Sequence, residues 1–270
     1  NLIMLAAKLR ASDVAGGEAS GVKRFPDFFI IGAPKCGTTT LYEWVSRHPQ
    51  VYMPYKEPGF FSQDIYPTSH VVYNDPPHIS SLEAYTAIFG NAAGANMMCG
   101  EATPRYMYSD QALAEIVRLS KTTKIIICLR DPVDLAISYH SQKIREGVER
   151  EESFEKCWLR STEENTQVIN TADHEIKGCI NYNFWSRVGA RLEKVFYHFP
   201  LEGSVKIILL DELKHQPQAT YRSLLSFLGL PDDGRSEFKS FNERKQIRSV
   251  AMHFFALKIK RFMEPMIAPI

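Results

Sequence analysis

The chain has 270 residues, 44% of them hydrophobic, enough to bury one large core, and the expected organisation is a flexible leader over 1–24 followed by a single domain over 25–270. Its 32 basic residues nearly cancel 31 acidic ones, so no global field favours nucleic acid or an anionic membrane, and any anion must be bound by local placement. No apolar run approaches the roughly 20 residues of a membrane span, and five cysteines (Cys36, Cys99, Cys128, Cys157, Cys179) without Cys-x-x-Cys spacing argue for reduced, buried thiols in the cytoplasm rather than for a disulfide framework or a zinc site.

Residues 11–21 are small, polar and glycine-bearing, which reads as the leader into the first strand. Phe28-Phe29-Ile30-Ile31 is a buried strand; Gly32-Ala33-Pro34-Lys35-Cys36-Gly37 cannot continue it, and Thr38-Thr39-Thr40 opens a helix carrying Leu41, Trp44 and Val45 on one face. That helix is expected to stop near His48-Pro49. Val51-Tyr52-Met53 is a short strand, and Ser80-Ser81-Leu82-Glu83 has capping-box spacing for a helix running to about Phe89, with a loop over 91–96. Cys99–Ala102 is extended and ends at Pro104; Asp110 is expected to cap a helix whose Leu113, Ile116, Val117 and Leu119 follow the 3.6 period.

Ile125–Leu129 is too short and too β-branched for a helix, so it is a central parallel strand, ended by Arg130-Asp131-Pro132 with Asp131 as N-cap and a helix to about Arg145. Helices are expected over 153–165, 183–199 and 217–227, with a strand over 205–210 between the last two. Strands alternating with helices imply right-handed crossovers and a three-layer α/β fold, a central parallel sheet flanked by helices with ligands at the strand C-terminal ends. Lys35 and Arg130 both lie just past such ends.

The turn at residues 34–38 suits an oxyanion. Backbone N–H groups at a helix start lack internal partners, and the helix dipole puts partial positive charge there; Lys35 adds a full charge and the threonines add hydroxyl donors. An ordinary strand-to-helix turn with a solvated lysine shares this local pattern. The order Gly-x-Pro-Lys-x-Gly-Thr-Thr differs from the NTPase P-loop, whose lysine follows the second glycine. It resembles the 5′-phosphosulfate loop of sulfotransferases that use 3′-phosphoadenosine 5′-phosphosulfate (PAPS).

Arg130 either pairs with Asp131 or Asp134, or forks two N–H donors onto phosphate, with Ser138 supplying a hydroxyl from the following helix. Leu129-Arg130-Asp131-Pro132 with Ser138 eight residues after the arginine is similar to the 3′-phosphate site of the same sulfotransferases, and the resemblance extends from Phe28 to about Arg248. It is closest to the carbohydrate (heparan) and bacterial types. It implies a P-loop-like fold, PAPS as sulfuryl donor and 3′-phosphoadenosine 5′-phosphate (PAP) as product without a metal, and cofactor contacts from Lys35, Cys36, Gly37, Thr38, Thr39, Thr40, Arg130 and Ser138. Arg244, Lys245 and Arg248 would close over the 3′-phosphate, although Gln246 stands where relatives for phenols and steroids carry glycine.

Sulfuryl transfer needs a base for the acceptor proton and a cation for the leaving phosphate oxygen, attacked in line. Glu57, in Lys56-Glu57-Pro58-Gly59-Phe60-Phe61, is similar to the catalytic glutamate of heparan-type enzymes, the bland alternative being a loop carboxylate paired with Lys56; Lys35 would hold charge on the leaving oxygen. Glu101 either contacts the acceptor or anchors its loop; in Glu101-Ala102-Thr103-Pro104 the family's lysine is replaced by Ala102. His140 is a further acceptor-side candidate, and His48 reads as a helix-end residue. The acceptor is a hydroxyl on a glycan, lipid or natural product. Two other readings stay open: a P-loop phosphotransferase or NTPase with Asp211 holding magnesium, and an inactive nucleotide-binding module of a larger synthase. The resemblance also offers a Golgi lumenal enzyme, its anchor removed, as an alternative to the cytoplasm.

Overall fold

The computed structural model describes residues 24–65, 79, 81–93, 97–163, 180–199 and 201–240. The expected leader, apart from Arg24, and the stretch holding Arg244, Lys245 and Arg248 lie outside these residues. Among the described residues, five parallel strands form one sheet in the order β2-β3-β1-β4-β5: β1 (Phe28–Ile30), β2 (Val51–Tyr52), β3 (Met98–Ala102), β4 (Lys124–Leu129) and β5 (Val205–Leu209).

β1 is entirely buried because it pairs on both edges. Phe29 lies opposite Glu101 of β3 and Ile125 of β4. Its apolar residues have sheet neighbours on either side and helices above and below, which is why the sequence shows a run of hydrophobics rather than an alternation. From β1 the chain moves outward to β2, returns to β3, and only then crosses to β4 on the other side. The strand order therefore reverses at β1, and the crevice beyond its C-terminal end is the topological switch point where ligands bind in open α/β sheets.

The ladder to β4 continues past the strand, with Ile31 N donating to Ile126 O at 2.9 Å and Ala33 N to Cys128 O at 3.1 Å. This approach demands glycine at position 32, since a Cβ there would sit 1.9 Å from the Cys128 backbone nitrogen. The next turn leads into α1 (Thr38–Val45), whose far end is clamped: Trp44 Nε1 donates to Lys239 O at 2.9 Å, and Arg235 donates to Trp44 O at 2.6 Å. Trp44 also packs edge-on against Phe238 and Tyr221, the latter on the helix Pro217–Leu228.

Several elements shift from expectation by one residue because a neighbouring side chain is the better cap. Ser81, not Ser80, caps α2 (Leu82–Ala87), accepting from Ala84 N at 3.1 Å. Ser109 rather than Asp110 caps α3 (Asp110–Leu119), and its hydroxyl also donates to Asp64 at 2.6 Å, a tertiary contact invisible in local sequence. Asp131 caps α4 (Pro132–Arg145) as expected, accepting from Val133 N and Asp134 N. The loop expected over 91–96 contains a helical turn, Gly90–Ala93, and a 3-10 turn, Pro104–Tyr108, follows β3.

α1 stops at Val45, slightly before His48-Pro49. The helix expected over 153–165 is α5 (Phe154–Glu163), and the one expected over 183–199 is broken at Arg187 into α6 (Tyr182–Ser186) and α7 (Val188–His198). β5 ends at Leu209, and Leu210 opens α8 (Leu210–His215), with Glu212 reaching back to Leu209 N at 2.7 Å. Gly32→Ala tests the sheet geometry: it is expected to lower unfolding stability by at least about 3 kcal/mol, since neither backbone can retreat, and a urea titration matching wild type would contradict the close β1–β4 approach.

Candidate active site

The turn after β1 carries two left-handed residues, Lys35 at φ 64° and Gly37 at φ 88°. For lysine this conformation costs about 1–2 kcal/mol, so something outside the turn must hold it. That hold comes from Arg130, at the end of β4, whose Nη1 donates to the Lys35 carbonyl at 3.2 Å while Nη2 lies 3.6 Å from Asp134. Of the two arginine roles weighed from sequence, the pair with Asp134 is present. The guanidinium pairs with Asp134 and also joins the β1 and β4 turns, 95 residues apart in sequence.

Gly37 caps α1 in the left-handed region, with no side chain capping the helix start and no acidic residue in its first turn. Glycine at 37 is required by its φ of 88°; a Cβ there would meet only the side-chain ends of Leu213 and Leu210, within 2.9 Å. A helix start free of carboxylates and flanked by cations fits an anionic donor such as a phosphosulfate. Thr38 and Thr40 are buried and Thr39 is half-buried at this start. Cys36 is fully buried, donates weakly to Pro34 O at 3.4 Å, and burial pushes its thiol up to about 12, so it supplies shape and a backbone N–H rather than a nucleophile. Ser138 is buried two turns into α4.

Burial lowers the Lys35 ammonium below its usual range, and Arg145, Arg130 and Lys56 press it in the same direction while Glu146 opposes them. One region therefore gathers cations from four separate segments. Arg145 and Glu146, at the end of α4, were not singled out from sequence; only the helix path brings them near Lys35.

Glu57 is the second residue outside glycine with positive φ among those described, at 60°, and its backbone N donates to Ala102 O at 2.9 Å. Its carboxylate pairs with Lys56. Burial pushes the carboxyl up, but Lys56 with Arg105 and Lys35 brings it net below the ordinary glutamate value, so it stands ionised at neutral pH. Arg105 was also missed from sequence, though it stands only three residues past β3.

The remaining candidates are held inside the fold. Glu101 is 1% exposed; its Oε1 accepts from Thr103 at 2.6 Å, and its Oε2 accepts from Tyr85 and, at 3.3 Å, from Tyr106. That is the loop-anchoring arrangement rather than an acceptor contact. His140 is buried against Phe154 and Tyr182, with Nε2 2.8 Å from Glu151 O. His48 accepts from Gln50 N at Nδ1 and faces Pro231 O at 3.0 Å through Nε2, a satisfied structural histidine. Asp211, two residues past β5 in the first turn of α8, is 80% exposed and pairs with Lys214. No cluster of three or more His, Cys, Asp or Glu side chains suited to a metal occurs among the described residues, and no described helix is long and apolar enough to cross a membrane.

A parallel five-stranded sheet with a lysine-bearing turn and a tethered arginine at its switch point is an α/β fold of the P-loop-like class. The chain belongs to the sulfotransferase family, whose domain model matches residues 25–261. It is 29% identical over 231 residues to mouse heparan sulfate glucosamine 3-O-sulfotransferase 3B1, covering 84% of this chain and 52% of that protein, so the chain spans about half the length of the curated relatives it matches. The crystal structure of a sulfotransferase from Alicyclobacillus acidocaldarius superposes with a TM-score of 0.64 at 26% identity, over 92% of this chain and 98% of that one. The mouse sulfotransferase SULT7A1 complexed with PAP shares the fold, with a TM-score of 0.52 at 16% identity over 96% and 88% of the two chains. The family normally uses PAPS and releases PAP.

Glu101 gives a pH test. Burial raises its carboxyl from 4.5 to about 7 despite its three hydroxyl donors. The native state therefore keeps a proton that the unfolded chain releases, and this contribution, complete at low pH, is lost as pH rises towards 7. Glu57 and Glu149, both lowered, act in the opposite sense, but they cancel when wild type is compared with Glu101→Gln. Between about pH 5 and pH 8 the wild-type unfolding free energy is expected to fall relative to the variant by about 2.5 kcal/mol; parallel urea-derived curves would refute the raised carboxyl.

Proposed function

We propose that the chain is a PAPS-dependent O-sulfotransferase in which Glu57 is the base and Lys35 stabilises the leaving group. The reading is carried by the meeting of the Lys35 turn and Arg130 at 3.2 Å beyond an uncapped helix start without acidic residues. The backbone N–H groups of Gly37, Thr38 and Thr39 and the hydroxyls of Thr38–Thr40, with the thiol-lined turn of Cys36 beneath them, would hold the 5′-phosphosulfate. Arg130 and Ser138 would hold the 3′-phosphate, joined by Arg244, Lys245 and Arg248. PAPS supplies an activated sulfuryl group whose departure leaves negative charge on a phosphate oxygen.

Lys35 projects from a turn whose backbone is tied down by Arg130, and its ammonium would stabilise the charge that develops on the leaving oxygen. Glu57 is ionised and half-exposed, able to accept the proton of an incoming hydroxyl with its oxygens adjacent to Lys56 and Arg105. The acceptor would be a hydroxyl of a glycan or small molecule, a class supported by the glycan on which the heparan sulfate relatives are named. Cys36, Cys99, Cys128 and Cys157 are free and buried, which supports a reducing compartment such as the cytoplasm.

Two measurements test this reading. Calorimetric titration is expected to show PAP binding that depends on the 3′-phosphate, with adenosine 5′-phosphosulfate and ATP binding at least about tenfold more weakly and Arg130→Ala losing the preference; equal binding of ATP would overturn the donor assignment. With radiolabelled PAPS, Lys35→Ala and Glu57→Gln are each expected to reduce transfer by about 10²–10⁴-fold with the fold intact, and near-normal turnover by either would remove that residue from the mechanism.

A further inference from the structure

The segment Glu57–Phe61 is shaped against its local preferences. Glu57 and Gly59 both have positive φ, at 60° and 68°, within three residues. Its alternate backbone N–H groups are all taken by the chain that continues β3: Glu57 N donates to Ala102 O at 2.9 Å, Gly59 N to Thr103 Oγ1 at 3.3 Å, and Phe61 N to Tyr106 Oη at 3.3 Å. Above about pH 7, where Glu101 is ionised, both hydroxyls donate their single proton to this buried carboxylate, Thr103 to Glu101 Oε1 at 2.6 Å and Tyr106 to Glu101 Oε2 at 3.3 Å. A hydroxyl that has given its proton away presents only lone pairs, so it can only accept from the loop. Tyr85, the third donor to Glu101, stacks on Phe60 and meets Phe61 edge-on, fixing the same loop from its apolar side.

We propose that Glu101 is a positioning residue for sulfuryl transfer: through the hydroxyls of Thr103 and Tyr106 it orients two acceptors that hold the Glu57 loop against the end of β3. The role rests on the reading of Glu57 as the base. Glu101 is 1% exposed and hydrogen-bonded to three hydroxyls within the fold. Its reach is through the loop backbone, and the groups that face it are Thr103, Tyr85 and Tyr106, with Tyr55 and Glu57 nearby.

Thr103→Val removes one acceptor at constant shape, Tyr106→Phe removes the other, and Thr103→Ser restores the first. Amide hydrogen exchange by NMR on the folded protein is expected to accelerate at Gly59 in Thr103→Val and at Phe61 in Tyr106→Phe, by at least about tenfold each, and to return to wild type at Gly59 in Thr103→Ser. Unchanged exchange at both sites overturns the relay. With PAPS and N-sulfated heparan as acceptor probe, each deletion is expected to lower kcat about tenfold, leave calorimetric PAP affinity unchanged, and cause no additional loss in a Glu57→Gln background. An equal loss in that background, or a parallel loss of PAP affinity, assigns the hydroxyls a structural role and overturns the proposal. Glu57→Gln turning over like wild type overturns the base assignment instead, and the exchange rates then decide by themselves whether Glu101 holds the loop.

Discussion

The hydrogen bond from Arg130 to the Lys35 carbonyl locks together two turns that the sheet brings side by side. Each follows a strand of the same parallel sheet, and adjacent parallel strands bring their C-terminal ends to one edge. β1 must therefore be short, buried and paired on both sides, and Gly32 must let the ladder run on to Cys128. The clamp on Trp44 from Lys239 and Arg235 secures the other end of α1, so the helix that starts at the anion turn cannot tilt away from it.

The same economy of placement explains the backbone strain. Lys35 and Glu57, the two described residues outside glycine with positive φ, are the two assigned to the chemistry. A left-handed conformation at a residue with a Cβ persists only where neighbours over-determine it. At Lys35 the over-determination is one guanidinium; at Glu57 it is a ladder of three N–H bonds to the end of β3. Strain held from outside gives each side chain a direction that its own sequence neighbours would not choose.

Charge is treated in a similar way. The chain is nearly neutral, yet Lys35, Lys56, Arg105, Arg130 and Arg145 come together around the strand ends with Glu57 and Glu146 among them. Local concentration within a balanced whole binds an anion without a global field that would attract every polyanion. Glu101, one β3 residue before the loop contact at Ala102, is kept out of this set by burial and spends its hydrogen bonds on three hydroxyls.

What was legible in the sequence was whatever depends on neighbours in the chain. Phe28–Ile31 and Ile125–Leu129 read as buried parallel strands from unbroken hydrophobic runs, the α4 cap at Asp131 from Asp-Pro, and the anion turn from glycine, lysine and threonine in a fixed order. Glu57 and Arg130 were named because their motifs are local as well. Tertiary structure alone decided what depends on distant partners. Ser109 displaced Asp110 as a cap once its hydroxyl could also reach Asp64, and the helix expected over 183–199 broke at Arg187. Glu101 and His140 could not be told from acceptor-side residues by local pattern, because burial and the hydroxyl or carbonyl that satisfies each come from segments 11 or more residues away or from the turn that packs over them. Arg145 acts on Lys35 from 110 residues away in the chain, a proximity set by how α4 packs, which no local pattern encodes.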